Sequence, residues 1–115
     1  MFKVESLKKN SHFKIVLKDK KFHSDFFSIY ATKNFIKKNS KKILNISFVM
    51  KKKIGNAVKR NRIKRKLKAI VIKLSKIKGA INSDYTYIVF GKAKAYSVKQ
   101  DTLLLEMNKT FKKIK

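Results

Sequence analysis

Between Asp25 and Asp84 the chain carries no carboxylate, and inside that stretch lies Asn56–Leu74, a run of cations interrupted at helical intervals by apolar residues. Ile63, Leu67, Ile70 and Leu74 follow one another at spacings of four, three and four. On a wheel of about 100° per residue they fall within about 60° of each other, a single apolar stripe. Asn61, Lys64, Arg65 and Lys68 project from the opposite side, Arg62 and Lys66 flank that surface, and Arg60 lies near the edge of the apolar face. Such a helix must bury one face against another layer. Its other face stacks like charges at i and i+4, which costs helix stability unless an anion from outside offsets them. Gly55 breaks the preceding pattern and Asn56 is a good cap for the helix N-terminus.

The same imbalance runs through the molecule. Its 115 residues hold 32 Lys plus Arg against 6 Asp plus Glu, a formal net charge of +26. That density opposes compaction and calls for a polyanion. Nucleic acid, whose phosphates release condensed counterions when Lys and Arg bind them, is favoured over an anionic membrane surface. The apolar fraction of 43% is that of a globular protein rather than of a basic tail. The length suits one domain, residues 1–115, with a core over about 7–114.

The rest of the chain reads as alternating elements. Ser11 is a candidate cap for a short helix to about Lys18, with Phe13, Val16 and Leu17 on one side. Asp25–Ala31 alternates, with Phe26, Ser28 and Tyr30 facing one way and Phe27, Ile29 and Ala31 the other, as a strand does. Lys33–Lys42 is polar and reads as a loop. Ile43–Met50 is a second strand, richer on its Leu44, Ile46, Phe48 and Met50 face. Gly79 ends the helical region, and Tyr85–Phe90 is a third strand. Ser97 with Gln100 has capping-box spacing and opens a last helix with the stripe Leu104, Met107, Phe111 and Ile114. The order helix, strand, strand, helix, strand, helix predicts an α+β fold, a small twisted sheet packed with helices.

Arginine placement singles out the central helix. The chain has three Arg, and all of them lie at positions 60, 62 and 65; elsewhere the cation is Lys. Arg presents a planar fork to phosphate oxygens and stacks on bases, whereas Lys is a point charge. Asn61, between two Arg, can hold a neighbour or meet a base edge. A basic run is ordinarily a solvated face, but the confinement of Arg to an acid-free helix face points to RNA contact.

The stretch KKKIGNAVKRNRIKRKLKAI resembles the signature of the bacterial ribonuclease P protein subunit: a Lys pair, Gly-Asn-Ala-Val, then Arg-Asn-Arg-Ile-Lys-Arg, matching from Lys52 to Arg65 nearly unbroken. LKKNSHF, FFSIYA and DYTYIV are similar to further segments of that family, so the likeness covers about Leu7 to Ile114. It implies an additional short strand and a left-handed strand–helix–strand crossover. It also implies a role in removing the 5′ leader of precursor tRNA, with the catalytic centre and its Mg²⁺ held mainly by an RNA subunit. Lys52, Lys53, Asn56, Arg60, Asn61, Arg62, Lys64, Arg65 and Lys68 would contact that catalytic RNA. Phe13, Leu17 and Tyr30 would line a cleft for the single-stranded leader, Leu17 standing where some relatives carry Phe. Lys68 stands where some relatives carry Arg, and Gly91 and Lys92 occupy the place of a basic residue that many relatives have after the last strand. The expected partners are the catalytic RNA and precursor tRNA, with one copy of the chain in the complex.

A nuclease site in the chain itself is not legible. Glu5, Asp19, Asp25, Asp84, Asp101 and Glu106 are dispersed singly, whereas two-metal cleavage wants clustered carboxylates. His12 and His23 sit in Lys-rich stretches that are usually just solvated. No Gly-Lys-Ser phosphate loop occurs. With no Cys there is no disulfide and no thiolate metal site, which suits a reducing cytoplasm. No apolar run approaches a membrane span, and the N-terminus lacks the apolar core of a signal peptide. The alternative to a ribonucleoprotein subunit is a structural ribosomal-type RNA-binding protein or RNA chaperone with no part in cleavage.

Overall fold

The computed structural model describes residues 3–35, 43–77 and 79–114. In chain order the elements are β1 (Lys3–Glu5), α1 (Asn10–Leu17), β2 (Lys20–His23), β3 (Phe27–Lys33), β4 (Ile43–Val49), a 3₁₀ turn at Lys52–Ile54, α2 (Ala57–Ser75), β5 (Tyr85–Gly91), a second 3₁₀ turn at Ala93–Tyr96, and α3 (Gln100–Lys112). The predicted α+β order stands, with two strands added rather than one. β1 and β2 are the edges of a five-stranded sheet of order β1-β4-β5-β3-β2. Both are short, and β2 is exposed except at Phe22. A lysine-rich edge strand such as β2 discourages pairing with other chains, and for the same reason it carries no clear apolar alternation. The predicted loop, Lys33–Lys42, loses its first residue to the sheet, because Lys33 closes β3; its part from 36 to 42 lies outside the described residues.

Alternation decides which side of the sheet each side chain takes. Phe27, Ile29 and Ala31 of β3, Leu44 and Ile46 of β4 and Tyr87 and Val89 of β5 are fully buried on one face. Ile63, Leu67, Ile70, Val71 and Leu74 of α2 pack there with Leu103, Met107, Phe111 and Ile114 from α3 and the residues after it. The predicted α2 stripe is therefore the docking face. In α3 the predicted stripe holds at Met107, Phe111 and Ile114, but Leu103 takes its first place: Leu103 is fully buried, while Leu104 only packs at the margin. On the other sheet face α1 packs on β3 and β5. Val16 and Ile88 are fully buried there with Leu7, and Phe13, Tyr30, Phe35, Val49 and Phe90 flank them.

Two predicted caps are replaced. α1 begins at Asn10 with Lys9 at the cap position and no side-chain bond; the Lys9 carbonyl accepts from the His12 and Phe13 amides at 3.1 and 3.3 Å. Ser11 thus lies inside the first turn, because the burial of Val16 sets the helix phase. α3 begins at Gln100 behind Lys99, again with no side-chain cap. Gln100 instead donates from Nε2 to the Lys66 carbonyl at 3.2 Å, tying α3 to α2. The cap at Asn56 is made as predicted: its side-chain oxygen accepts from the Lys59 amide at 2.9 Å.

Candidate nucleic-acid interface

α2 carries the first basic surface. With the stripe buried, Asn61, Arg62, Lys64, Arg65 and Lys68 are exposed on the far side, and Arg60 is partly covered at the edge. Arg60 reaches back to the Asn56 carbonyl from Nε at 3.5 Å, and with Asn61 and Lys64 it rims a hollow of about 240 Å³ floored by Phe48, Met50 and Ala57. A second shallow hollow of about 400 Å³ lies among Val58, Asn61, Arg62, Arg65 and Lys66. Asn56, expected on RNA, has its amide oxygen committed to the helix start. It shapes the surface by setting where α2 begins.

Lys66 does not join the basic surface that it was expected to flank; three residues from Ile63 and four from Ile70, it lies at the margin of the buried stripe. Its long stem runs along α2, and Nζ donates to the carbonyls of Ala95, Tyr96 and Val98 at 2.8, 3.2 and 2.6 Å. Desolvation, with the charge of Arg62 beside it, lowers its pKa from the ordinary lysine value. An ammonium serving three carbonyls is a clamp on the segment after β5 rather than a free charge. That segment places Tyr96 against the basic face: Lys59 Nζ lies 5.1 Å and the Arg62 guanidinium carbon 5.7 Å from its ring centre. Arg62 also makes a long hydrogen bond, 3.5 Å, to the Tyr96 hydroxyl. Nothing in the sequence pattern marks Tyr96, because its approach to α2 depends on how residues far apart in the chain pack.

The second surface lies on the α1 side of the sheet. Tyr30 and Phe90 meet edge to face, centroids 5.4 Å apart, beside a cavity of about 410 Å³. Lys21 Nζ sits 5.0 Å over Tyr30 and Lys51 Nζ 5.6 Å over Phe90. His23 Nδ1 is 3.0 Å from the Ser28 hydroxyl at the cavity wall. Lys92 Nζ donates to the Ser24 carbonyl at 2.6 Å, fixing the β2–β3 turn against the end of β5. Of the expected leader residues, Tyr30 lines this cavity, Phe13 belongs to the adjoining apolar cluster, and Leu17 stands 38% exposed at the end of α1. Lys53, grouped by sequence with the α2 face, lines the cavity instead, while Lys52 is exposed beside it in the same 3₁₀ turn. Phe90 was legible in principle, since it shares with Ile88 the strand face opposite Tyr87 and Val89. His12 packs edge-on against Phe35 at 5.2 Å, so the two histidines have different partners.

Among the described residues no group of three or more His, Cys, Asp or Glu is placed to hold a metal ion. No described helix is long and apolar enough to cross a membrane.

The ribonuclease P family model matches residues 1–115. The chain is 44% identical over 72 residues to the ribonuclease P protein component of Finegoldia magna, an alignment covering 62% of this chain and 58% of that relative. Among solved structures, the ribonuclease P protein of Thermotoga maritima superposes with a TM-score of 0.77 at 23% identity, covering 96% of this chain and 98% of that one. The Staphylococcus aureus ribonuclease P protein gives 0.65 at 24% identity, covering 95% and 90%. At those identities the structural likeness bears on the fold.

Proposed function

The chain belongs to the ribonuclease P protein family, and on that premise we propose that it acts as the non-catalytic protein subunit of a ribonucleoprotein that removes the 5′ leader from precursor tRNA. The observation that carries this reading is the pairing of two different basic surfaces across one short turn. On one side of Lys52–Ile54, the α2 face gathers Arg60, Asn61, Arg62, Lys64 and Arg65 on a rigid helix backed by the core. On the other side, the Tyr30–Phe90 cavity combines aromatic rings with lysines. A folded RNA is bound through its phosphates, which suits the α2 face. A single strand wants rings for its bases and cations for its backbone, which suits the cavity.

In this reading the α2 guanidinium groups bind phosphate oxygens of the catalytic RNA as bidentate forks, and Lys64 and Lys68 add point charge. Phe13, Tyr30 and the neighbouring Leu17 receive the leader, so the subunit favours precursor over mature tRNA. The Mg²⁺ that supplies hydrolytic chemistry belongs to the RNA subunit; this chain binds and orients the substrate near it. One copy of the chain serves the complex, in the cytoplasm.

The deciding experiment is cleavage of precursor tRNA by the catalytic RNA at low Mg²⁺, with and without this protein. Marked stimulation is expected. Without stimulation the chain is better described as a structural RNA-binding protein or chaperone, and cleavage by the protein alone would move the chemistry back into the chain.

A further inference from the structure

We propose that Tyr96 is a stacking platform for one unpaired base of the catalytic RNA, set beside the phosphate-binding groups of α2. The inference rests on the reading of the α2 face as the catalytic-RNA surface. It adds to that reading a residue from outside α2 and a contact that is not ionic.

The segment after β5 holds this ring in place. Ala95 is fully buried and Val98 packs against the core, while Tyr96 between them stays 36% exposed. The Lys66 ammonium bonds the carbonyls of all three residues, at 2.8, 3.2 and 2.6 Å, and so fixes the backbone that carries the ring. A ring ordered before binding loses little freedom when a ligand reaches it.

What the ring touches is cationic. Lys59 Nζ lies 5.1 Å and the Arg62 guanidinium carbon 5.7 Å from its centre. These two residues stand three apart on one helix, so like charges share one ring and repel each other. The hydrogen bond from Arg62 to the Tyr96 hydroxyl is long, 3.5 Å. Exposed contacts between a cation and a ring are weaker than the stacking of a base on it. An entering base displaces the flexible cations from the ring, and they are then free to follow the phosphates on either side. Arg62 also borders the hollow of about 400 Å³ that Val58, Asn61, Arg65 and Lys66 complete, and Val58 is 75% exposed there. No carboxylate lines it. The hollow thus offers the nucleotide an apolar side chain and an amide that both donates and accepts. A base within a paired helix has its faces covered by its neighbours, so the ring selects a nucleotide from a loop, a bulge or a junction.

If the ring served only to hold Lys59 and Arg62 in position, its loss would act through their phosphate contacts and reduce the salt dependence of binding. A stacked base releases no counterion, and its loss leaves that dependence unchanged. The test is binding of the full chain to the catalytic RNA at several salt concentrations. Tyr96→Leu should weaken binding roughly five- to hundredfold at every salt concentration, with the wild-type slope of log K against log salt. Tyr96→Phe, which keeps the ring, should bind within about twofold of wild type, as a contact through the ring face requires. The chain has no Trp, so Tyr96→Trp places a single indole at the site, and stacking on a base should quench its emission when the complex forms. Thermal unfolding checks that each variant is folded, and the Phe and Trp variants decide the matter if Tyr96→Leu is not. Wild-type affinity in Tyr96→Leu, a slope reduced as in Arg62→Met, a loss in Tyr96→Phe equal to that in Tyr96→Leu, or unquenched indole emission in the complex would each overturn the platform and leave the α2 reading standing. If the wild-type chain binds the catalytic RNA no more tightly than an unrelated folded RNA of the same length, both fall.

Discussion

Lys66, a cation at the margin of the buried stripe, separates a lysine that holds the fold from the lysines that face outward. Replacing it with Met keeps the apolar stem and removes the ammonium that donates to Ala95, Tyr96 and Val98. A net contribution of about 1.5–3 kcal/mol for a hydrogen bond to a charged group would give an upper bound of about 4.5–9 kcal/mol for three. Lys66 is only partly buried and Tyr96 and Val98 are not fully covered, so water takes over much of the lost bonding. A loss of about 1–3 kcal/mol is the expected outcome, or roughly 4–12 °C in Tm for a domain of this size. Urea and thermal unfolding measure it, with the m-value checking that the denatured state is unchanged. The matching assay is the salt dependence of binding to the catalytic RNA. Lys66→Met should keep the wild-type slope of log K against log salt, whereas Lys64→Met, from the exposed face, should reduce it by about 0.7–0.9 for a lost phosphate contact. If Lys66→Met unfolds at the wild-type midpoint and flattens the salt slope as Lys64→Met does, then Lys66 points at RNA and the clamp does not exist.

Other outcomes follow from named contacts. Arg60→Ala and Arg65→Ala should each weaken binding to the catalytic RNA and lower the salt slope by up to about one unit; an unchanged slope and affinity in a filter-binding titration would count against direct contact. Tyr30→Ala should reduce the preference for precursor over mature tRNA, and an intact preference would place the leader elsewhere. Gly91 ends β5 against Met50 and Ile63; a Cβ there would press into the Met50 sulfur and lie 2.8 Å from Ile63 Cγ2. Gly91→Ala should therefore destabilise by about 1–3 kcal/mol in chemical denaturation, and a neutral result would mean that β5 and α2 part easily. Tyr87 is fully buried with its hydroxyl donating to the Asn82 carbonyl at 2.6 Å. Burial first, then the neighbouring Tyr85 and Asp84, push its phenol well above the ordinary tyrosine value. Above about pH 10 the unfolded chain gives up this proton and the folded one does not, so stability should fall as pH rises there. Unfolding midpoints of Tyr87→Phe should fall less steeply over the same alkaline range.

Where structure depends on a local period, the sequence was a sufficient guide. The extent of α2, its cap at Asn56 and its stripe from Ile63 to Leu74 were legible because helix geometry repeats within the segment itself. So was the alternation that sends Phe27, Ile29 and Ala31 to one face and Tyr30 to the other. The edge strands were not, because a short exposed strand such as Lys20–His23 takes its conformation from its pairing partner and buries too little to show a pattern. The caps expected at Ser11 and Ser97 failed for a related reason: which of several neighbouring polar residues stands first in a helix follows from the phase that buries Val16 and Leu103. The site divides along the same line. That Arg60, Asn61, Arg62, Lys64 and Arg65 share an acid-free helix surface is a property of spacing alone. That Lys66 leaves this surface to hold the Ala95–Val98 carbonyls, that Tyr96 comes to rest under Lys59 and Arg62, and that Lys53 joins Tyr30, Phe90 and His23 around a cavity depend on contacts between segments tens of residues apart. Only the closing of the sheet and the docking of α2 upon it could decide them.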